Sequence, residues 1–196
     1  MIENPLEQHH HGVNDKAIFG FWIYLMTDLI MFAALFASYA VLRDNTFGGP
    51  GASELFSLPG ALTETLILLT SSFTCGLAIL AAYKNNKTQT LIWFGITFLL
   101  GTAFLVLELK EFSHLIAEGN SFQRSAFLSS FFSLVGTHGL HIAVGLLWML
   151  VSMVMVWFKG LTPFIVNKLT RLILFWHFLD VVWIFIFTIV YLHAHI

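Results

Sequence analysis

The sequence contains little charge. Only 10% of its 196 residues are Asp, Glu, Lys or Arg, whereas 58% are hydrophobic. Soluble domains average about 25% charged and about 45–50% apolar residues, so a soluble core could not hold this excess. A formal net charge of −2 argues against nucleic acid as a partner, because such binding needs a basic surface. The single cysteine, Cys75, excludes an intramolecular disulfide. The composition therefore indicates a protein whose solvent is the lipid bilayer.

Five long hydrophobic runs divide the chain, each near the ~20 residues with which an α-helix crosses about 30 Å of hydrocarbon. No loop is long enough to hold a soluble domain, and none of the four prolines interrupts a run. Backbone polar groups in lipid must be satisfied internally, which favours helices. We therefore predict an all-α, polytopic membrane bundle with an N-terminal tail at 1–17 and a single domain at 18–196. The predicted spans are 18–42, 59–83, 90–109, 127–157 and 169–193.

The N-terminus lacks the features of a cleavable signal. Its first 17 residues include Glu3, Glu7 and Asp15, where a signal peptide begins with basic residues. Three consecutive histidines at 9–11 could bind a metal, but a solvated tail is the favoured interpretation. Six Lys and Arg residues flank one side of the five spans and three flank the other. The positive-inside rule then predicts a cytoplasmic N-terminus and a periplasmic C-terminus.

Ionisable residues lie deep within three of the spans. By depth, Asp28, His138, His141, His177 and Asp180 all fall in the middle third of the membrane. Polar residues at such depth are costly and usually face a partner or an ion pathway. Three helices that carry polar groups at one level permit a shared buried network. We expect Asp28 to bond a histidine of the fourth span, either His138 or His141.

Several explanations of these residues remain open. A satisfied structural pair and a proton-handling role are equally plausible for the buried acids and imidazoles. The His-x-x-His spacing of His138 and His141 allows metal chelation, but a structural role is favoured. Haem ligation by histidines on two helices is conceivable, with His177 as the second helix's ligand. A proton-coupled transporter also fits, although no internal repeat is visible.

The second span places small residues on one helix face. That face consists of Glu64, Ser71, Cys75, Ala78 and Ala82, and small side chains there suit close helix packing. Glu64 lies only about two turns from the predicted outer surface. At the outer end of the third span, Glu108 is expected to contact headgroups or water.

Three segments resemble signatures of one family, subunit III of the haem-copper terminal oxidases. They read GFWIYLMTD at 20–28 (with FASYA at 36–40), THGLH at 137–141 and FWHFLDVVW at 175–183. The similarity extends from about residue 17 to the end, in the family's order. Long members of the family have seven helices. The five predicted here, and Asp28 where many relatives carry glutamate, resemble the cytochrome bo-type ubiquinol oxidases of bacterial inner membranes.

The resemblance implies an accessory subunit of a proton pump that oxidises ubiquinol and reduces oxygen to water. Haem and copper are then expected in the partner subunit I and no cofactor in this chain, with subunit I, the other oxidase subunits and membrane phospholipid as partners. Asp28 matches the family's carbodiimide-reactive carboxylate, whose suggested roles are to assist proton uptake and to protect subunit I during turnover. It is not a catalytic residue. The chemistry of this chain does not distinguish a quinol oxidase from a cytochrome c oxidase.

Overall fold

The computed structural model describes residues 5–46, 48, 58–120 and 123–192, with side chains at Lys16 and from Ile18 onward within those ranges. This part of the chain forms no strand. It forms five long helices, which are α1 (Pro5–Leu42), α2 (Leu58–Tyr83), α3 (Lys87–Ala117), α4 (Ala126–Lys159) and α5 (Pro163–Ile186). A π-helical turn, Phe187–Leu192, continues α5. All five helices are long and apolar enough to cross a membrane, which confirms the predicted all-α bundle.

Side-chain caps mark where three of the helices begin. Asn86 before α3, Ser125 before α4 and Thr162 before α5 each accept a hydrogen bond from the backbone N–H three residues further on. Such caps satisfy backbone donors that have no partner within the first helical turn. Pro163 occupies the first position of α5, where its missing N–H costs nothing.

Three helices extend well beyond the predicted spans, and one of them is α5, which begins at Pro163 rather than near residue 169. α3 continues to Ala117 rather than ending near residue 109, because the charged Lys110 and Glu111 change the hydropathy without stopping the helix. α1 begins at Pro5, so much of the predicted tail at 1–17 is a helical extension of the first span. The histidines at 9–11 lie outside the described side chains.

α5 is the most enclosed helix. It packs against α4, α2 and α1, while the main contacts of α1 within the described residues are with α4 and α5. Half of the apolar window of α5 is buried within the protein, compared with 22% for α1. α1 is therefore a peripheral helix, and its inner face meets α4 and α5.

Trp176 of α5 occupies a gap that glycines leave open. A Cβ at Gly101 of α3 would lie 2.7 Å from the indole, and one at Gly145 of α4 would lie 3.2 Å from it. The indole N–H donates a hydrogen bond to Ser71 Oγ of α2 at 3.1 Å. The absence of side chains at the two glycines thus allows four helices to meet around one ring.

The predicted small-residue face of α2 is buried inside the bundle. All five of its members are at most 4% exposed, namely Glu64, Ser71, Cys75, Ala78 and Ala82. This confirms that the face serves helix packing, chiefly against α3 and α5.

Candidate functional site

Asp28 of α1 faces His141 of α4. The distance from Asp28 Oδ2 to His141 Nε2 is 3.8 Å, and the two side chains are only 11% and 17% exposed. This distance allows strong electrostatic attraction in a medium of low dielectric constant but is too long for a direct hydrogen bond. Of the two histidines considered from the sequence, the structure brings His141 to Asp28.

The other nitrogen of His141 is bonded within its own helix. His141 Nδ1 lies 2.8 Å from the carbonyl oxygen of Thr137. A carbonyl only accepts, so Nδ1 donates the hydrogen. This hydrogen bond orients the ring so that Nε2 faces the carboxyl group of Asp28.

His138 bonds to α5 instead of to Asp28. Its Nε2 lies 3.2 Å from the Leu179 carbonyl oxygen and donates to it. The imidazole is fully buried and stacks on the Trp183 ring with centroids 5.3 Å apart. His138 therefore joins α4 to α5, as a structural histidine would.

His177 and Asp180 form a second pair on α5. The distance from His177 Nδ1 to Asp180 Oδ2 is 3.8 Å, and the same nitrogen lies 2.5 Å from Ser72 Oγ of α2. Among the described residues, no ion pair or hydrogen bond links this pair to Asp28 and His141. The polar groups at one level thus form two separate pairs and a structural histidine, rather than the single network that depth alone permitted.

Glu64 belongs to a different cluster. Its carboxyl oxygen lies within 4.8 Å of those of Glu108 and Glu111, both on α3. Glu108 is only 2% exposed, so the expectation that it contacts headgroups or water is wrong. The extra length of α3 explains the error, because Glu108 lies well before the end of the helix. The sequence feature that could have predicted this cluster is the three-residue spacing of Glu108 and Glu111, which places both on one face of a helix.

An apolar groove of about 630 Å³ runs between α1 and α5. Its walls include Trp22, Phe32 and Phe36 of α1 and Phe178 of α5, and His177 lines it as well. The His177 side chain is 42% exposed, so one polar group faces an otherwise apolar groove.

The fold and these contacts define a polytopic helical membrane protein in which an acid of α1 faces an imidazole of α4 inside the bundle. The chain matches the family described as cytochrome c oxidase subunit III over residues 2–195. The chain belongs to this family.

Named relatives are similar over nearly the whole chain. The cytochrome bo(3) ubiquinol oxidase subunit 3 of Pseudomonas aeruginosa is 57% identical over 94% of this chain and 88% of its own length. The protein of the same name from Buchnera aphidicola subsp. Baizongia pistaciae is 47% identical over 92% and 93%. The cytochrome c oxidase subunit 3 of Bacillus sp. PS3 is 49% identical over 88% and 84%.

Proposed function

We propose that this chain is subunit III of a bo3-type ubiquinol oxidase in a bacterial inner membrane. The observation that carries the proposal is the 57% identity to the P. aeruginosa ubiquinol oxidase subunit over 94% of the chain. Two of the three relatives named above, those from P. aeruginosa and Buchnera aphidicola, are ubiquinol oxidase subunits, which favours quinol over cytochrome c as the electron donor. Membership in an oxidase subunit family also removes the support for a proton-coupled transporter.

Within the complex, the role is accessory. The chain supports the partner subunit I, which is expected to hold the haem and copper. This is consistent with how the mid-membrane histidines are used. His141 faces Asp28, His138 donates to a carbonyl of α5, and His177 bonds Ser72.

The Asp28–His141 pair is the part of the chain suited to assist proton uptake. An acid and an imidazole can each bind a proton, and from 3.8 Å a small approach of the two side chains brings them within hydrogen-bond distance. Such a pair can store a proton, or pass it on, without carrying out any redox chemistry. Asp28 is therefore a proton-handling residue and not a catalytic one.

The groove between α1 and α5 suits a phospholipid acyl chain. Its lining is almost entirely apolar and it opens along the outside of the bundle. Lipid in this groove would cover aromatic side chains of both helices and stabilise the peripheral helix α1.

The experiment that tests the proposal uses the chain tagged in its own membranes. Gentle detergent extraction, native mass spectrometry and a visible spectrum should show this chain in a complex with a haem-bearing subunit, and the complex should oxidise ubiquinol. The separated chain should have no haem absorbance. A Soret band in the separated chain, or the absence of any haem-bearing partner, would contradict the proposal.

A further inference from the structure

Three carboxylates from two helices meet near one end of the bundle. Glu64 lies in the second turn of α2, and Glu108 and Glu111 lie in the last three turns of α3. One carboxyl oxygen from each is within 4.8 Å of those from the other two. The fully buried Tyr191, in the π-helical turn after α5, interacts with the Glu111 carboxyl. π-Helical turns occur frequently at functional sites.

The burial of Glu108 is an independent indication that something binds here. Glu108 is only 2% exposed, and neither of its carboxyl oxygens has a hydrogen-bond partner. Glu64 Oε2 is likewise buried and without a partner. Leaving a buried polar group unsatisfied in an apolar medium is costly, and it is more costly for a charged group than for a neutral one. Native structures rarely keep such groups without a hydrogen-bond partner, a water or a bound ion.

No positive side chain neutralises the cluster within the described part of the protein. The ion pairs found there involve other acids, with Asp28 and Asp180 among them, and none includes Glu64, Glu108 or Glu111. Three like charges at this separation repel strongly in a low-dielectric interior. The carboxylates must therefore be neutralised by protons or by a bound cation.

The set of oxygen ligands favours a cation. Carboxylic acids that share protons hydrogen-bond to one another, but neither carboxyl oxygen of Glu108 has a hydrogen-bond partner. Ca²⁺ is bound by about six to eight oxygens, many of them from carboxylates, whereas Mg²⁺ usually keeps several waters and takes only one or two carboxylates. Three carboxylates whose oxygens lie within 4.8 Å of one another thus suit a single calcium ion better than a magnesium ion.

The cluster is not wholly enclosed by the protein. Glu111 is only partly buried, one helical turn closer to the end of α3 than Glu108. If the predicted orientation holds, this end of the bundle faces the periplasm. A cation could then reach Glu111 first and enter without crossing the hydrocarbon.

We propose that Glu64, Glu108 and Glu111 form a binding site for a divalent cation, with Ca²⁺ as the best-fitting ion. The bound ion holds the N-terminal end of α2 to the C-terminal end of α3. It serves the structure and takes no part in electron transfer.

The test measures ⁴⁵Ca²⁺ binding to the purified oxidase complex after chelation with EDTA, and thermal unfolding with and without Ca²⁺. The wild-type complex should bind one Ca²⁺ more than complexes carrying Glu108→Gln or Glu64→Gln. Adding Ca²⁺ should raise the unfolding temperature of the wild-type complex but not that of these two variants. Glu118→Gln is the matched control, because this exposed acid near the same end of α3 pairs with His114. Its complex should bind as many ions as wild type.

Two results would overturn the proposal. The first is equal Ca²⁺ stoichiometry in wild type and in the Glu108→Gln complex. The second is an infrared carbonyl band of protonated acid that disappears in Glu108→Gln and is unaffected by Ca²⁺, since that would show the cluster holds protons. If Glu108→Gln fails to assemble, the partly buried Glu111→Gln replaces it with the same expectations.

Discussion

The protein buries carboxylates in two ways. Asp28 and Asp180, in the middle of the bundle, each face a histidine at 3.8 Å. Glu64 and Glu108, near one end, face other acids and no base among the described residues. Depth explains the difference, because a group in mid-membrane has no access to ions in water and must be neutralised by the protein itself. A group close to the surface can take its counter-ion from solution.

The two arrangements should therefore respond oppositely to mutation. Removing one member of an acid–base pair leaves the other buried without a partner, which is strongly destabilising. Removing one of three acids relieves repulsion among the remaining two. The stability of the complex should depend on the pairs under all conditions, but on the acid cluster only when a cation is present.

Asp28→Ala is expected to have the largest effect. It leaves His141 without its acid, and breaking such a buried pair costs roughly 3–5 kcal/mol. We expect a clear drop in the thermal unfolding temperature of the complex and a partial loss of oxygen reduction. Asp44→Ala is the control, because Asp44 is 89% exposed just beyond the same helix.

A double variant tests whether the effect belongs to the pair. If Asp28 and His141 interact directly, Asp28→Ala with His141→Ala should lose less stability than the two single variants added together. Strict additivity would show that the two residues act independently. Complete loss of turnover in an intact complex would contradict the non-catalytic role of Asp28.

The helices and the depth of the polar groups could be predicted from the sequence, but not all of the residues that those polar groups contact. Hydropathy is sufficient for five spans because lipid admits few other folds. Which histidine contacts Asp28 depends on how α1 is rotated about its axis relative to α4. The periodicity of each helix's own sequence does not predict that rotation. The π-helical turn at Phe187–Leu192 was also not predictable, because hydropathy does not distinguish a π-helical turn from an α-helix. For Glu108, charge near a predicted helix end indicated exposure, whereas the longer α3 buries it.

Gly101→Ala tests the apolar packing that lies between the two kinds of site. The new methyl group would lie 2.7 Å from the buried Trp176 ring, and such overpacking costs typically 1–3 kcal/mol. Thermal unfolding of the complex should show this loss equally with Ca²⁺ and with EDTA. Gly95→Ala on the same helix is the control, since a Cβ there meets nothing within 4 Å. Equal stability of the two variants would mean that α3 and α5 are not packed as described.

Ser72→Ala is expected to have a smaller effect on the second acid–base pair. It removes the hydroxyl 2.5 Å from His177 Nδ1, and a hydrogen bond of this kind contributes about 0.5–1.5 kcal/mol. Ser133→Ala should change the unfolding temperature less, because its exposed hydroxyl bonds only a carbonyl of its own helix. If Ser72→Ala is as harmless as this control, Asp180 and not Ser72 positions His177.

Glu108→Gln in calcium-free buffer should have the smallest effect on stability. This variant tests whether the acid cluster differs from the acid–base pairs in how its charge is neutralised. The substitution keeps the shape of the side chain while removing one charge from a cluster that lacks a base. With EDTA present, the unfolding temperature of the complex should therefore stay level or rise, in contrast to Asp28→Ala under the same conditions. With Ca²⁺ at 100 times its Kd, wild type should gain about 2.7 kcal/mol and the variant should not. A loss of stability in EDTA as large as that of Asp28→Ala would mean that Glu108 has a basic partner after all, and that both kinds of site are neutralised from within the protein.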